Sequence, residues 1–179
     1  MGVAGVSARV ILIVTGSDRP GLTKALADAV HAAGGNWLES HLSRLGGKYV
    51  GSVLVELDAA ALPDLEARVR SVDANGLRVS VVPADDAPQS GGDGLTVELV
   101  GQDRPGIVRE VTAVLAALGV NIDSLTTSTE HGAWSGEPLF RAEARVTLPQ
   151  GVDQDEVQAA LEGISGDVMV DFTVRKADA

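Results

Sequence analysis

The chain has 179 residues, 45% hydrophobic and 22% charged, which is enough apolar material for one ordinary domain or two small ones. Its formal net charge is −11 and no window is rich in lysine and arginine, which argues against direct binding to nucleic acid. The absence of cysteine excludes disulfides. The chain has no apolar run of about 18 residues and no basic leader, so we expect neither a membrane span nor a secretory signal. We therefore expect a cytoplasmic protein.

The first half of the chain predicts the order strand, helix, strand, strand, helix, strand. An apolar run at 8–15 is typical of a strand, and apolar residues at helical spacing then predict a helix over 20–33. Two strands follow over 36–45 and 49–57, joined by a tight Gly-Gly turn. Periodic apolar residues mark the second helix and the fourth strand: Leu62, Leu65, Val69 and Val72, then Leu77, Val79 and Val81.

The second half predicts the same order again. A strand from Leu95 precedes a helix that starts at Pro105, and strands over 120–129 and 140–148 follow. The loop at 130–138 between these two strands is longer than the Gly-Gly turn of the first half. A second helix is expected to end at Gly166, and a last strand covers 168–174. The residues predicted to be buried by the helix from Pro105 are Ile107, Val108, Val111, Leu115 and Leu118.

The order of elements predicts the fold class and the domain boundaries. Two right-handed crossovers in each half close into an antiparallel sheet with both helices on one face. The chain is therefore predicted to be an α+β protein made of two ferredoxin-like βαββαβ sandwiches in tandem. We place the first domain at 1–83 and the second at 95–179. The linker at 84–94 lacks periodicity and is rich in proline, glycine and aspartate.

A six-residue stretch follows the first strand in each half. It reads GSDRPG at 16–21 and GQDRPG at 101–106, so that the two copies lie 85 positions apart. Each copy is a strand-to-helix turn in which Pro20 or Pro105 suits the first helical position. Asp18 and Asp103 are expected to accept hydrogen bonds from the free N–H groups of the first helical turn.

The glycines of this stretch allow two interpretations. Gly16 and Gly101 are expected to let the chain leave the strand at positive φ. Gly21 and Gly106 leave the backbone bare, so that a small ligand can approach the N–H groups of the helix start. One copy alone is explained by a well-made helix start. The recurrence of the same residues at the same place in two repeats favours a role in ligand binding.

Taken together, these features resemble the ACT domain family of small regulatory modules. The resemblance depends on tandem βαββαβ units with G-x-D-R-P-G after the first strand, and on Gly34-Gly35-Asn36 and Gly119-Val120-Asn121 after the first helix of each unit. It covers nearly the whole chain. Two such domains alone, with Gly136-Glu137-Pro138-Leu139-Phe140 in the second, are similar to the glycine cleavage system transcriptional repressor family.

The resemblance implies a function and a set of binding residues. It implies an amino-acid-sensing regulatory protein, with glycine as a candidate ligand, that controls transcription by holding a partner such as a transcription factor. It also implies that ligands lie where the turn of one domain meets a neighbouring domain or subunit. The residues implied to bind the ligand are Asp18, Arg19, Pro20, Gly21 and Asn36, and Asp103, Arg104, Pro105, Gly106 and Asn121.

The chemistry of an amino acid suits such a site. Its carboxylate needs free N–H groups, and its ammonium needs oxygens that an asparagine or aspartate can supply. Asn36 and Asn121 are equally compatible with strand starts that bond their own backbone. An alternative function is a regulatory subunit bound to an amino-acid biosynthetic enzyme, so that the protein partner would be an enzyme.

Catalytic and metal sites are not predicted. His31, His41 and His131 do not share the i, i+4 spacing of a helical metal site. No P-loop, Rossmann fingerprint or nucleophile elbow occurs. We therefore expect a protein that is not an enzyme, with no metal and no cofactor.

The first predicted strand is apolar on both faces, which points to an interface. Ile11 and Ile13 alternate with the residues expected in the core, and Leu54 and Val82 are out of phase with the core residues of their own strands. The corresponding face of the second half is largely polar. We expect the outer sheet face of the first domain to be covered by the second domain or by another subunit, and the protein to be a homo-oligomer.

Overall fold

The computed structural model describes residues 6–73, 76–85, 93–131, 138–168 and 170–176. They belong to two compact units, Met1–Ala87 and Pro88–Ala179. Each unit contains one four-stranded antiparallel sheet and two helices in the order βαββαβ, which confirms the predicted α+β class with two ferredoxin-like sandwiches. Most of the predicted linker, residues 86–92, lies outside the described residues.

The first domain pairs its strands in the order β2-β3-β1-β4. Its elements are β1 (Ser7–Ser17), α1 (Leu22–Ala32), β2 (Asn36–Leu45), β3 (Lys48–Asp58), a 3-10 turn (Ala59–Ala61), α2 (Leu62–Asp73) and β4 (Leu77–Pro83). Alternate residues of β1 and β3 face the two helices, as a period of two requires. They pack with one stripe of each helix into a single core that includes Leu12, Leu26, Val53, Leu65 and Leu77.

The second domain repeats this arrangement, with the strand order β6-β7-β5-β8. Its elements are β5 (Gly94–Gln102), α3 (Ile107–Ala117), β6 (Asn121–His131), β7 (Pro138–Thr147), α4 (Gln154–Val168) and β8 (Val170–Lys176). Leu95, Leu115, Val146 and Leu161 are among the most buried side chains of its core.

Three predictions for the second domain were wrong. Helix α4 continues to Val168, beyond Gly166, because one glycine in a helix costs only about 1 kcal/mol and does not end it. Val168 is consequently helical and does not begin the last strand. Val108 is 39% exposed, since the buried stripe of α3 passes through Ile107 and Leu115. Of the predicted loop, residues 132–137 lie outside the described residues, and Pro138 begins β7.

The faces of the two sheets that point away from the helices differ in polarity. In the first sheet Ile11 lies opposite Leu54 on β3 and Val82 on β4, and the neighbouring Ile13 is 48% exposed. These four residues therefore lie on the outer face, as predicted, whereas the covering of that face stays a prediction. In the second sheet Thr96 takes the place of Ile11 and lies between Arg145 and Arg175. Glu98 takes the place of Ile13 and forms an ion pair of 2.5 Å with Arg175.

Candidate functional site

Both repeated turns start their helices at a glycine. Gly21 and Gly106 are the N-cap residues of α1 and α3, with φ of 90° and 93°, and their carbonyls accept hydrogen bonds from the N–H groups of Ala25 (2.9 Å) and Glu110 (3.0 Å). Only glycine adopts this left-handed conformation without strain. The helices therefore begin two residues later than predicted, and Pro20 and Pro105 precede the N-cap.

The aspartates of the motif do not cap the helices, which corrects the expectation from the sequence. Neither helix start has a side-chain cap, and the carboxylate of Asp18 pairs with Arg44 at 3.3 Å. The backbone N–H of Asp18 donates to the carbonyl of Gly47 (3.4 Å), and that of Asp103 donates to the carbonyl of Pro138 (3.0 Å). Each aspartate thus ties the turn to the neighbouring strand pair through its backbone, and its side chain does not cap the helix.

The space in front of the first helix start is open. A Cβ built on Gly21 would meet no atom within 4 Å, and one built on Gly106 would meet only the carboxylate of Glu110 at 3.9 Å. The N–H groups of the first helical turn carry partial positive charge and have no partner within the helix. The first turn can therefore accept a small anionic group such as a carboxylate, whereas the carboxylate of Glu110 already lies beside the second.

The arginines of the two copies have different surroundings. Arg104 makes a bidentate pair with Glu110: one hydrogen bond joins Nη1 to Oε1 at 3.1 Å, and a short one joins Nη2 to Oε2. The hydrogen bond from Arg104 holds the pKa of Glu110 below its ordinary value. In the first domain Ala25 takes the place of Glu110, and the Nη2 atom of Arg19 lies 3.9 Å from the position that a Cβ on Gly76 would occupy.

The two asparagines lie at the other end of their domains. Asn36 and Asn121 begin β2 and β6, which follow the C-terminal ends of α1 and α3. Each of these helices has 11 residues and so spans about 16 Å. The amide of Asn121 donates to Oδ1 of Asp123 (2.7 Å), its neighbour on the same strand. A single domain consequently does not bring a turn and its asparagine into one site.

Gly16 has a different role from the one predicted. It lies in β1 opposite Leu77 and is not among the glycines with positive φ. A Cβ at this position would lie 2.5 Å from the carbonyl oxygen of Gly76 and 3.1 Å from Cα of Leu77. Gly16 is required because the turn before β4 approaches the end of β1 closely. Gly101 is likewise a strand residue, in β5, and not a positive-φ glycine.

An open cleft of about 340 Å³ lies beside the first turn, and sequence reasoning missed it. It is lined by Thr15, Gly16, Ser17, Lys48, Gly76 and Arg78. The two basic residues come from β3 and β4, so that only strand pairing brings them together. The sequence gives one signal for this cleft: Lys48 and Arg78 lie at the ends of β3 and β4 that are nearest the first turn.

Two general features of the described part of the chain bear on function. Within it, no group of three or more histidine, cysteine, aspartate or glutamate side chains is arranged to hold a metal ion. No helix there is both long and apolar enough to cross a membrane.

Comparison with protein families identifies both halves. Residues 8–81 and 95–162 each match a family model described as ACT domain. A phosphoserine phosphatase, SerB2 of Mycobacterium tuberculosis, is 30% identical over 173 residues, which are 92% of this chain. The chain spans 40% of the length of that phosphatase.

Two solved structures resemble the whole chain. An unknown protein from Galdieria sulphuraria is 30% identical with a TM-score of 0.85, and the match covers 96% of this chain and 99% of that one. A protein assigned as a glycine cleavage system transcriptional repressor is 16% identical with a TM-score of 0.71 over the same shares of the two chains. At that identity the second likeness concerns the fold.

Proposed function

Because the chain belongs to the ACT domain family, we propose that it is a non-catalytic regulatory protein that binds an amino acid and acts through a partner protein. The observation that carries the proposal is the repeated helix start, with no side-chain cap at Gly21 or Gly106 and open space before Gly21. The N–H groups there suit the α-carboxylate of an amino acid.

The complete ligand site requires a second domain in this proposal, and we place that domain in another copy of the chain. The turn and Asn36 lie at opposite ends of α1, so that one domain supplies either the carboxylate-binding N–H groups or the side-chain oxygen. A second copy can present its asparagine to the turn of the first. The proposed regulator is therefore a homo-oligomer in which ligand binding and subunit contact are coupled.

We propose that the partner is a transcription factor of the glycine cleavage type. The support is the likeness of the whole fold to a protein assigned as the repressor of that system. The formal net charge of −11 disfavours contact with DNA phosphates and favours action through another protein.

A second candidate function is favoured by one specific observation. The chain matches part of a phosphoserine phosphatase with 30% identity, and the matched part is 40% of that enzyme. An ACT pair of this kind can regulate an enzyme of amino-acid synthesis. Recovery of partners with the tagged full chain separates the two candidates, since the first predicts a transcription factor and the second an enzyme.

A thermal-shift panel of the common amino acids tests ligand binding itself. A ligand selective for the folded state stabilises it by about 2.7 kcal/mol at a hundred times its Kd. Gly21→Ala should abolish the shift, because a Cβ there stands before the helix N–H groups. Gly34→Ala is the matched control: Gly34 also has positive φ and open space around it, but it lies at the far end of α1. Equal shifts in both variants and the wild type would contradict a role of the first turn.

A further inference from the structure

The cleft beside the first turn concentrates positive charge in a protein that is strongly acidic overall. Lys48 lies opposite Ser17 and Arg78 lies opposite Thr15, on the two strands that flank β1. Thr15 and Ser17 are two residues apart and therefore face the same side of the sheet. Two cations and two hydroxyls thus converge on one end of the outer face.

A third cation approaches the same place. Nη2 of Arg19 lies close to Gly76, which itself lines the cleft. Nζ of Lys48 is 3.2 Å from Oγ of Ser17, so its charge is held over the end of β1. Within the described residues, Arg19, Lys48 and Arg78 form no ion pair, and the carboxylate nearest in sequence, Asp18, is engaged by Arg44.

The second domain provides an internal comparison, because the register of its sheet is the same. Val100 and Gln102 replace Thr15 and Ser17 on the central strand. Their partners are Asp171 on β8 and Leu139 on β7, where the first domain has Arg78 and Lys48. The second sheet therefore has neither cation at these two positions. Arg141, which lies opposite Val100 on β7, pairs with Glu130 at 3.2 Å, and Arg104 is already paired with Glu110.

We propose that this cleft of the first domain is a binding site for a small oxyanion, the phosphate or carboxylate group of a metabolite. The proposal goes beyond amino-acid sensing, since it concerns the outer face of the sheet and not the N–H groups of the helix start. Lys48 and Arg78 neutralise the anion, and the hydroxyls of Thr15 and Ser17 donate hydrogen bonds to its oxygens. Such a site weakens as ionic strength rises.

The test is a titration of the full-length wild-type chain with inorganic phosphate at low ionic strength, followed by the backbone amide NMR signals of Ser17, Gly76 and Arg78. Saturable shifts of these signals are expected, and potassium chloride at matched ionic strength should not reproduce them. A parallel titration with succinate decides between the two oxyanions, because the one that the cleft prefers saturates at lower concentration. Chloride acting as well as both oxyanions would overturn the proposal.

Variants give the second measurement. Lys48→Gln and Arg78→Gln should each weaken phosphate binding about tenfold, as expected for the loss of one charged hydrogen-bond donor. Lys24→Gln is the matched control, because it removes the same charge from the exposed side of α1, where Lys24 pairs with Asp28. Unchanged affinity in both cleft variants, or an equal loss in the control, would overturn the assignment. These measurements use neither the amino-acid panel nor the Gly21→Ala variant, so their outcome is independent of the proposed amino-acid sensing.

Discussion

Gly16 and Gly21 are only five positions apart, yet different physical constraints require glycine at each. At Gly21 the space is open and the constraint is the backbone, with φ of 90°. At Gly16 the backbone is extended and the constraint is the carbonyl of Gly76, 2.5 Å from any added Cβ. Conformational strain and steric overlap respond differently to the choice of side chain, which makes the two constraints separable.

Substitution at these glycines should show the difference. Gly21→Ala is expected to destabilise the chain by about 1–2 kcal/mol, and Gly21→Asn by less, because asparagine tolerates the left-handed region better. Gly16→Ala should cost about 1–3 kcal/mol, and Gly16→Asn at least as much, because both carry the overlapping Cβ. Urea denaturation measures all four, and an asparagine at 16 that is better tolerated than alanine would contradict the steric explanation.

The pair of Arg104 and Glu110 predicts a pH dependence. The hydrogen bond from Arg104 lowers the folded-state pKa of Glu110 below its ordinary value of 4.5. The stabilisation that this hydrogen bond gives to the folded state is therefore present above pH 4.5 and is lost as the pH falls through the lowered pKa of Glu110. Glu110→Gln should be slightly less stable than the wild type near pH 7, and this difference should shrink toward pH 3; the effect is small because the pair is partly exposed. A urea-midpoint difference that is the same at both values would refute this.

At the scale of elements, the helices of the second domain start in two ways. Helix α3 starts at Gly106 without a side-chain cap, whereas Oδ1 of Asp153 accepts a hydrogen bond from the N–H of Glu156 (2.9 Å) at the start of α4. The helix that follows the repeated motif thus has no side-chain cap, whereas the side chain of Asp153 satisfies one N–H group of the first turn of α4.

This contrast predicts the effect of removing the cap of α4. Asp153→Ala should lower the free energy of unfolding by about 1 kcal/mol, and Asp153→Asn should restore most of it, because asparagine is an equally good N-cap. Chemical denaturation of the two variants checks the expectation. Equal losses in both would show that the negative charge, and not the hydrogen bond, is what stabilises the start of α4.

The elements themselves were predictable because their apolar residues recur with clear periods. The spacing of Leu62, Leu65, Val69 and Val72 identifies α2 and its buried face, and the strand over 36–45 was predicted with its observed bounds. Features set by pairing between distant segments were not predictable. The approach of Gly76 to Gly16 and the meeting of Lys48 with Arg78 across β1 both depend on register.

The candidate site shows the same limit. The repeated motif correctly located two strand-to-helix turns, but proline chemistry placed the helix starts two residues early, because the left-handed N-cap glycine dominates the local geometry. The pairing of Arg104 with Glu110 spans six residues across a turn, where helical spacing rules do not apply. The ten implied binding residues stay predictions, since no single domain gathers a turn with its asparagine.

At the scale of the whole molecule, the two domains share a fold and differ in surface. The outer face of the first sheet exposes Ile13 among half-buried neighbours, Ile11, Leu54 and Val82, whereas that of the second carries charged rows. An apolar face of this kind marks an interface in many proteins. Association is therefore expected to be more sensitive to charge added on the outer face of the first sheet than to charge added on that of the second.

Ile13→Asp combined with Leu54→Lys should reduce self-association, because it places two charges on the apolar face. Light scattering over a range of protein concentrations measures the molar mass. Thr173→Asp with Glu143→Lys introduces the same two side chains on the outer face of the second sheet and serves as the control. If the wild-type chain associates and the variant with Ile13→Asp and Leu54→Lys has the same molar mass, the contact lies on another surface.

The ion pair between Arg104 and Glu110 has a consequence for stoichiometry. A chain with two copies of one motif is expected to take up two equivalents of the same anion. The second copy, however, carries its own carboxylate within the turn, whereas the first has Ala25 at that position and leaves Arg19 outside any ion pair in the described part of the chain. The duplicated halves have thus diverged into one turn with a built-in counterion and one that takes its counterion from solution. Calorimetric titration with an amino acid that stabilises the chain should consequently give one equivalent for each chain, bound at the first turn.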